Sequence, residues 1–372
     1  LPAGVAGSIV SVSDYANTSA SNNITLDPDG TDKINGINQN ATISTNGVAV
    51  TLVYVDSTIG WKDVNDATLD VTGISPFVAA TGGTITTCGD YKTHVFTGPG
   101  TFCVSCAGSP VGSDTVDYLV VAGGGGSGIG CAPDGAGGGG AGGFRVSNGY
   151  VISAPTMSPL SNPTGLPVSV QGYPITVGSG GAGAPSQPVS AVNGNPSVFS
   201  TITSAGGGKG GNTYPHNCGS PGGSGGGAHQ ATGGNGNTPP TSPPQGQNGG
   251  AAPGTPSGSG GGGAGGAGNV SGSPSSTDAG PGGVGSFVSP SFAGSNGTTG
   301  PVPGVRYFSG GGAGSNSPGR GPAGTAGTGG EGGGGNQNVA GTTNTGGGAG
   351  AGAAANGTTG GSGIVVIRYK FQ

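Results

Sequence analysis

The chain has 372 residues, of which 94 are glycine, whereas Lys and Arg together number only 9 and Asp and Glu only 14. A net charge of −5 over this length provides neither the basic patch that nucleic acids need nor a polybasic membrane anchor. The longest mainly apolar runs, residues 48–55 and 364–367, are too short to span a bilayer, so we expect no nucleic-acid partner and no membrane insertion.

Residues 1–66 are predicted to form a small β domain, because short β-branched runs alternate with turns rich in Asn, Asp and Gly. The Asn-Gly pair at 46–47 predicts a hairpin that joins strands at 41–44 and 48–55. The 48–55 run is apolar at nearly every position, which indicates burial on both faces or in a subunit interface. Trp61 is expected to anchor the packing of this domain, which would serve as an oligomerisation cap or stem.

Residues 67–121 are predicted to form a β meander that connects this domain to the rest of the chain. Strand-like runs occur at 84–87, 92–97, 101–104 and 116–121, and glycine-containing turns separate the first three. Each run is expected to pair with the next one along the chain.

Residues 122–363 hold most of the glycine, since 14 of the 94 glycines precede residue 122 and none follows Gly363, which leaves 80 in this region. The region lacks the strict Gly-X-Y triplet, and a collagen helix is therefore excluded. Its few charged side chains are Asp134, Arg145, Lys209, Asp278, Arg306, Arg320 and Glu331. We predict a polyglycine II-type bundle, in which glycine-rich polyproline II helices approach closely and hydrogen-bond laterally.

Nine glycine tracts are each long enough for one rod of such a bundle. They are residues 122–130, 135–143, 178–183, 205–212, 218–227, 258–268, 309–315, 328–335 and 345–353. The spacers between them are predicted to be loops or short strands at the ends of the bundle, with strands at 174–177 and 197–202.

Residues 364–372 are predicted to form a closing β-strand that pairs with 116–121 in one sheet, so that the two ends of the glycine region meet. No window of the chain shows helical periodicity of useful length. The predicted fold class is therefore an all-β N-terminal region followed by a polyglycine II-type domain, with essentially no α-helix.

No catalytic residue and no cofactor is predicted. The glycines at 123–128 fit a dinucleotide-binding pattern, but no helix follows them. The carboxylates Asp134, Asp278 and Glu331 are too scattered to form an acid–base pair. We therefore expect a protein that is not an enzyme.

Two groups of residues, an aspartate cluster and the cysteines, are the candidates for metal binding. Asp27, Asp29 and Asp32 form a weak calcium candidate, but a plain turn is favoured because the downstream Glu of a calcium loop is missing. The cysteines lack the paired spacing of a zinc site, and a disulfide between Cys131 and Cys218 is left open. The expectation is that the chain has no metal site.

Aromatic and amphipathic side chains in the spacers are the candidates for receptor contact, because such rings supply contact area at low entropic cost. The equally weighted alternative is that each ring packs against its own loop. The candidates are Tyr150, Tyr173, Tyr214, His216, Phe287, Phe292, Tyr307 and Phe308.

Several stretches of the sequence resemble the glycine-rich tail-fibre proteins of bacteriophages. They are residues 27–37, 51–61, 80–89, 94–102, 117–126 and 363–369. The resemblance implies an extracellular virion tail fibre that is a homo-oligomer, either a trimer or a helical assembly. It also implies binding to a host cell-surface receptor, an outer-membrane protein or a polysaccharide. The chain is similar in principle to the tip adhesins of T-even phages, in which a sandwich of glycine helices presents host-specific loops.

Glycine-rich segments of this kind also occur in bacterial surface proteins and extracellular filaments. The alternative interpretation is therefore a subunit of a self-assembling filament or of a bacterial surface adhesin. The sequence begins at Leu1 rather than at Met, so we expect either a processed terminus or a piece of a longer polypeptide.

Overall fold

The computed structural model describes the whole chain except residues 65–70, 73–76, 111, 255, 271–276, 318–323 and 354–355. The predicted boundary at 66/67 therefore lies outside the described residues. The chain divides into two compact units. Unit 1 comprises residues 1–79 and 106–114, and unit 2 comprises residues 80–105 and 115–372.

The regular secondary structure of the described residues is mostly β-strand, as predicted, and the single helix α1, Pro290–Ala293, has four residues. Among these residues no helix is long and apolar enough to cross a membrane. The strands of unit 1 form two antiparallel sheets, in the orders β1-β4-β5 and β2-β3-β6. Their bounds are Ile9–Ser13 (β1), Ile24–Leu26 (β2), Ala41–Ile43 (β3), Ala49–Tyr54 (β4), Trp61–Asp63 (β5) and Val71–Thr72 (β6).

Trp61 lies at the centre of the core of unit 1, which confirms its predicted role as a packing anchor. Its side chain is fully buried, and its ring meets Tyr54 edge-on at a centroid distance of 5.5 Å. Strand β4 buries only alternate residues, with Val50, Leu52 and Tyr54 in the core. Within the single chain the strand is not buried on both faces, because only one face of its sheet is covered by the core. The alternative, burial in a subunit interface, stays a prediction.

The predicted hairpin at 46–47 does not form. Strand β3 pairs with β2 and β6, whereas β4 pairs with β1 and β5, so the turn connects two different sheets. The turn is held instead by the loop that follows β1. Gly47, with a φ of 73°, donates its N–H to the Asp14 carboxylate at 3.0 Å, and Asn46 accepts from the Ala20 N–H at 2.8 Å.

We expect Asp14 to make unit 1 sensitive to acid. Its carboxylate also accepts the N–H groups of Thr18 and Ser19, at 3.2 and 3.0 Å. Hydrogen bonds from Ser19 and from the Gly47 N–H hold the pKa of Asp14 well below its usual value of 3.8. A lowered carboxyl pKa stabilises the native state above the unfolded value, and this stabilisation is lost as the pH falls below about 3.8.

The fluorescence of Trp61, the only tryptophan, reports the unfolding of unit 1 in denaturant. An aspartate titrates between about pH 5 and pH 2. Over this range the denaturant concentration at the unfolding midpoint should fall more steeply in the wild type than in Asp14→Asn. Asp14→Asn should also be the less stable protein at neutral pH. Equal acid slopes in the two proteins would contradict this account.

Unit 2 is built on a mixed sheet in the order β13-β12-β11-β20-β9-β8, with β14 also paired to β11. A second sheet contains β17-β16-β15-β10, and β18 pairs with β19. Two strands, β7 (Val78–Thr81) and β10 (Gly100–Ala107), cross the division between the units. The other strands are Thr84–Cys88 (β8), Tyr91–Phe96 (β9), Thr115–Val121 (β11), Phe144–Ser147 (β12), Ser161–Asn162 (β13), Leu166–Pro167 (β14), Gly172–Thr176 (β15), Ser197–Phe199 (β16), Ile202–Ser204 (β17), Ser286–Val288 (β18), Arg306–Phe308 (β19) and Ile364–Lys370 (β20).

The closing strand is confirmed. Strand β20 pairs antiparallel with β11, placing Leu119 opposite Val366 and Val121 opposite Ile364. Its other edge pairs with β9, so the C-terminal strand lies inside the sheet. The two ends of the glycine region therefore meet at neighbouring strands.

Two strand predictions were wrong in their pairing. The meander stops after the β8–β9 hairpin, because β10 pairs with β15 in the second sheet and not with β9. The run at 197–202 is a hairpin and not one strand, since Phe199 pairs with Ile202 and Ser200 turns the chain with a φ of 52°. In both cases a local run of β-branched residues indicates a strand but does not choose its partner.

The apolar core of unit 2 lies against the mixed sheet. Leu119, Val121, Ile364 and Val366 of the two central strands are fully buried in it. Phe144, Val146, Phe292 and Phe308 complete the main part of this cluster. The glycine segments, in contrast, contribute few side chains to any core.

Candidate functional site

The glycine segment 135–143 shows how the glycine region is held together. Its N–H groups donate in rotation to three other segments. Gly137, Gly138 and Gly139 donate to the carbonyls of Gly211, Ser259 and Ala349, at 2.9, 3.0 and 2.8 Å. The N–H groups of the next three residues donate to Gly208, Gly262 and Gly346, which lie in the same three segments in the same order. The partner segment thus recurs every third residue.

The carbonyl groups of the same segment accept from three further segments. Gly128, Gly227 and Gly312 donate their N–H groups to the carbonyls of Gly137, Gly138 and Gly139, at 3.1, 2.8 and 2.9 Å. Within the described part of the chain, this central segment therefore contacts six neighbours through its backbone alone. Such bonding satisfies the buried peptide groups without β-ladders.

Close approach of backbones explains why these positions are glycine. A Cβ atom at Gly139 would lie 2.0 Å from the Gly125 carbonyl oxygen, and one at Gly137 would lie 2.1 Å from that of Gly227. Backbone atoms of a packed segment cannot move aside as the end of a flexible side chain can. No residue with a side chain fits these two positions unless the neighbouring backbone shifts.

The hydrogen-bonded network extends beyond the nine predicted tracts. Gly194 donates to Gly207 at 2.9 Å, Gly250 to Gly260 at 2.9 Å, and Gly360 to Gly181 at 2.9 Å. Parts of the predicted spacers 184–204 and 228–257 are therefore segments of the network and not loops. The residues between 356 and 363, which lie outside the nine predicted tracts, contain another such segment.

The network has two distinct ends. Gly125 and Gly128 donate to Gly140 and Gly137, which shows that segments 122–130 and 135–143 run in opposite directions. Strands β11 and β12 are at one end, which we call the strand end. The turn at 131–134 is at the other end, which we call the loop end.

Two further loops join the turn at the loop end. Segment 205–212 runs parallel to 122–130, since Gly207 and Gly210 donate to Gly123 and Gly126. Loop 213–217 therefore reaches the same end as 131–134. Loop 185–190 also lies there, because the Gln187 amide donates to the Ile129 carbonyl at 3.3 Å.

The eight candidate side chains fall at opposite ends. Tyr214 and His216 are at the loop end, where both are exposed and Tyr214 retains 77% of its accessible surface. Tyr150 and Phe287 are half-buried at the strand end. The other four are buried at the strand end, where they are not accessible to a receptor: Tyr173, Phe292, Tyr307 and Phe308.

An open groove of about 370 Å³ lies at the strand end. One wall comes from the chain between β12 and β13 and includes Ile152 and Met157. The other wall contains Phe287, whose ring packs against Tyr307 at a centroid distance of 5.2 Å, and Val302. The remaining lining residues are Asn148, Ala154, Pro155, Ser158, Pro159 and Ser161, so the groove has no charged wall.

A buried ion pair fixes the first wall of the groove. Asp117 accepts from the Ser147 hydroxyl at 2.7 Å and from the N–H groups of Gly149 and Tyr150 at 2.6 and 3.0 Å. Arg368 lies 3.5 Å from the same carboxylate and donates to the Tyr150 carbonyl at 3.1 Å.

The Arg368 guanidinium also stacks 3.7 Å above the centroid of the Tyr91 ring. Burial lowers the pKa of Arg368, and the adjacent Asp117 opposes that shift. The sequence-based interpretation missed this pair. A charged residue inside each of two apolar strands was the available signal, since buried charges are rarely found without a partner.

The comparison with known proteins identifies the family of this chain. A family model for a glycine-rich domain matches residues 97–370. The chain belongs to the glycine-rich domain family. No curated protein and no solved structure matches the chain. The match begins before β10 and ends at the last residue of β20, so the glycine-rich domain includes the central strand pair as well as the network.

Each of the three metal candidates takes part in a hydrogen bond within unit 1, and the Asp29 carbonyl accepts from the Asp32 N–H at 2.8 Å. The Asp32 carboxylate accepts from the Gly4 N–H at 2.7 Å and from the Tyr54 hydroxyl at 2.9 Å, while Leu1 donates to the Asp27 carbonyl. The described residues contain no group of three His, Cys, Asp or Glu side chains that is placed to hold a metal ion.

None of the five cysteines, all of them described, is in a disulfide. In the glycine-rich domain, Cys131 and Cys218 are exposed thiols near the loop end. The bridge that the sequence left open is therefore not formed in this structure.

Proposed function

We propose that the glycine segments of the domain form a polyglycine II bundle, in which each segment is a polyproline II helix. A helix with three residues per turn directs successive peptide groups to three sides, and the same partner segment recurs at every third residue. The observed rotation of partners along 135–143 supports this interpretation. Its six neighbours are the number expected for hexagonal packing of such helices.

We further propose that the protein is the adhesin of a bacteriophage tail fibre, which attaches the virion to a host cell-surface receptor. The observation that carries the proposal is the loop end, where three short loops emerge from a rigid scaffold and expose Tyr214 and His216. Function commonly resides in loops that a rigid scaffold positions. The role is binding and not catalysis, and the location is extracellular, on the virion.

The scaffold explains how such an adhesin retains its fold while its specificity changes. Structural constraint falls on glycine positions inside the bundle, where an added Cβ meets backbone atoms. The loop residues Tyr214 and His216 have no such constraint, because they are exposed. We expect the receptor to be bound by a homo-oligomer, a trimer or a helical assembly, whose subunits each present one loop end.

Replacing both exposed side chains, Tyr214→Ala with His216→Ala, should reduce virion adsorption to host cells by about tenfold or more. Exposed aromatic anchors commonly supply this much of an interface's binding free energy. The measurement is the rate at which free particles disappear from a mixture with cells. Val151→Ala is the matched control, because Val151 is 79% exposed but lies at the strand end.

Two outcomes would contradict the proposed function. Adsorption that is unchanged after loops 131–134, 185–190 and 213–217 are all replaced by glycine-serine linkers would exclude these loops as the receptor-binding site. Long fibrils formed by the purified chain alone would favour the filament subunit instead.

A further inference from the structure

We propose that the loop end binds an uncharged glycan, with the Tyr214 ring as the platform on which a sugar stacks. The inference rests on the proposed function, since it names the chemistry of the receptor. It depends on three properties of loops 131–134, 185–190 and 213–217: their charge, their rigidity and their small apolar area.

These three loops carry almost no charge. Asp134 is the only residue with a formal charge in the three loops, all of whose residues are described. Charged ligands are recognised by complementary charge, and a phosphorylated or sialylated glycan would need several Lys or Arg side chains. The polar side chains present include those of Ser186, Gln187, His216 and Asn217, which suit hydroxyl groups that both donate and accept hydrogen bonds.

The Tyr214 ring is presented by a fixed loop. The Thr213 hydroxyl lies 3.2 Å from the carbonyls of both Ile129 and Gly135, and it accepts from the Cys131 N–H at 3.0 Å. The Asn212 N–H donates to the His216 carbonyl at 2.7 Å, which closes the base of the loop. Because the loop is already ordered, stacking on its ring costs little conformational entropy.

The exposed apolar area of these three loops is small for a protein partner. Tyr214 and Val189, which is 49% exposed, are the only large apolar side chains exposed among the described residues of the three loops. A stable protein interface buries roughly 800 Å² on each partner and centres on several apolar or aromatic anchors. One exposed ring among polar groups instead matches the apolar face of a single sugar ring.

The experiment measures binding of the labelled full chain to cells that adsorb it, after one of two treatments. Periodate cleaves the vicinal diols of glycans, and protease removes surface proteins. Periodate should abolish binding and protease should leave it unchanged. Raising the salt from about 0.05 M to 0.5 M should change the affinity less than twofold, since an uncharged ligand gains nothing from unscreened charge.

The variants test the stacking platform. Tyr214→Ala should weaken cell binding by about tenfold or more, whereas Tyr214→Phe should retain it because the ring is kept. Tyr15→Ala is the matched control, since Tyr15 is 99% exposed and lies in unit 1. Equal losses in Tyr214→Ala and Tyr15→Ala would overturn the assignment.

Failure of the inference is distinguishable from failure of the proposed function. If binding is lost after protease but survives periodate, the receptor is a protein and not a glycan. The glycan inference would then be wrong, and the adhesin proposal would stand. Binding that is lost at high salt would indicate a charged ligand. Two results together would contradict both proposals: the labelled chain binds no cells, and virion adsorption is unchanged when the three loops are replaced.

Discussion

The variant Gly139→Ala should lower the free energy of unfolding of the glycine-rich domain by about 3 kcal/mol or more, the upper range for overpacking a rigid interior. The added methyl group would lie 2.0 Å from the Gly125 carbonyl oxygen, and separating the backbones weakens the Gly139 bonds to Ala349 and Gly312. Calorimetry should show a melting temperature lower by on the order of 10 °C.

The matched control is Gly98→Ala. No atom lies within 4 Å of the position of its Cβ, and its φ is outside the left-handed region. Its melting temperature should equal or slightly exceed that of the wild type, because alanine reduces the entropy of the unfolded chain. If the two variants melted together, close backbone packing would not be the reason for glycine at 139.

The variant Asp117→Ala should destabilise the same domain by about 3–5 kcal/mol, the cost of leaving a buried charge without its partner. Arg368 would lose its counter-ion, and Ser147, Gly149 and Tyr150 would lose an acceptor. Thermal unfolding followed by calorimetry checks the loss.

Asp63→Ala is the control for this variant. Asp63 lies 3.4 Å from Lys62, and the two side chains are 22% and 52% exposed. Exposed pairs of this kind contribute less than about 1 kcal/mol, so the variant should be close to the wild type. A similar loss in both variants would show that burial does not set the value of the Asp117–Arg368 pair.

The sequence predicts the order of strands and glycine region along the chain, because glycine content and β-branched runs can be recognised within short stretches. The change from strand to glycine after Val121, and back again after Gly363, predicts a closed unit, and the pairing of β11 with β20 confirms it. Pairing choices are not local in the same way. The Asn-Gly turn at 46–47 joins two sheets, and Asp14, more than 30 residues earlier in the chain, accepts the Gly47 N–H there.

The number of network segments could not be predicted from glycine content alone. A segment at the surface of the network needs glycine only on the sides that face its neighbours. Segment 191–195 therefore carries Val192 and Asn195, both of which are exposed. Its Gly194 faces a neighbour, because a Cβ added there would lie 2.0 Å from the Gly123 carbonyl oxygen. A count of dense glycine tracts therefore misses a segment of this kind.

The candidate site was predicted in part. Aromatic content identified Tyr214, which is exposed, but it also selected Phe292 and Phe308, which are fully buried. A ring in a glycine-poor spacer has the same composition signal whether it faces solvent or core. Distinguishing the two requires the end of the network at which each spacer emerges, and this depends on the direction of every preceding segment.

The position of β20 inside its sheet has a consequence for biosynthesis. Strands β11 and β9 cannot pair with β20 until residues 364–370 have left the ribosome. Segment 135–143 likewise cannot complete its hydrogen bonds until residues as distant in sequence as Ala349 have been synthesised. Contacts of such long sequence separation make folding slow and place it after translation of the domain. A chain that ends before residue 364 would therefore lack the strand that joins β11 to β9 and should not complete this sheet.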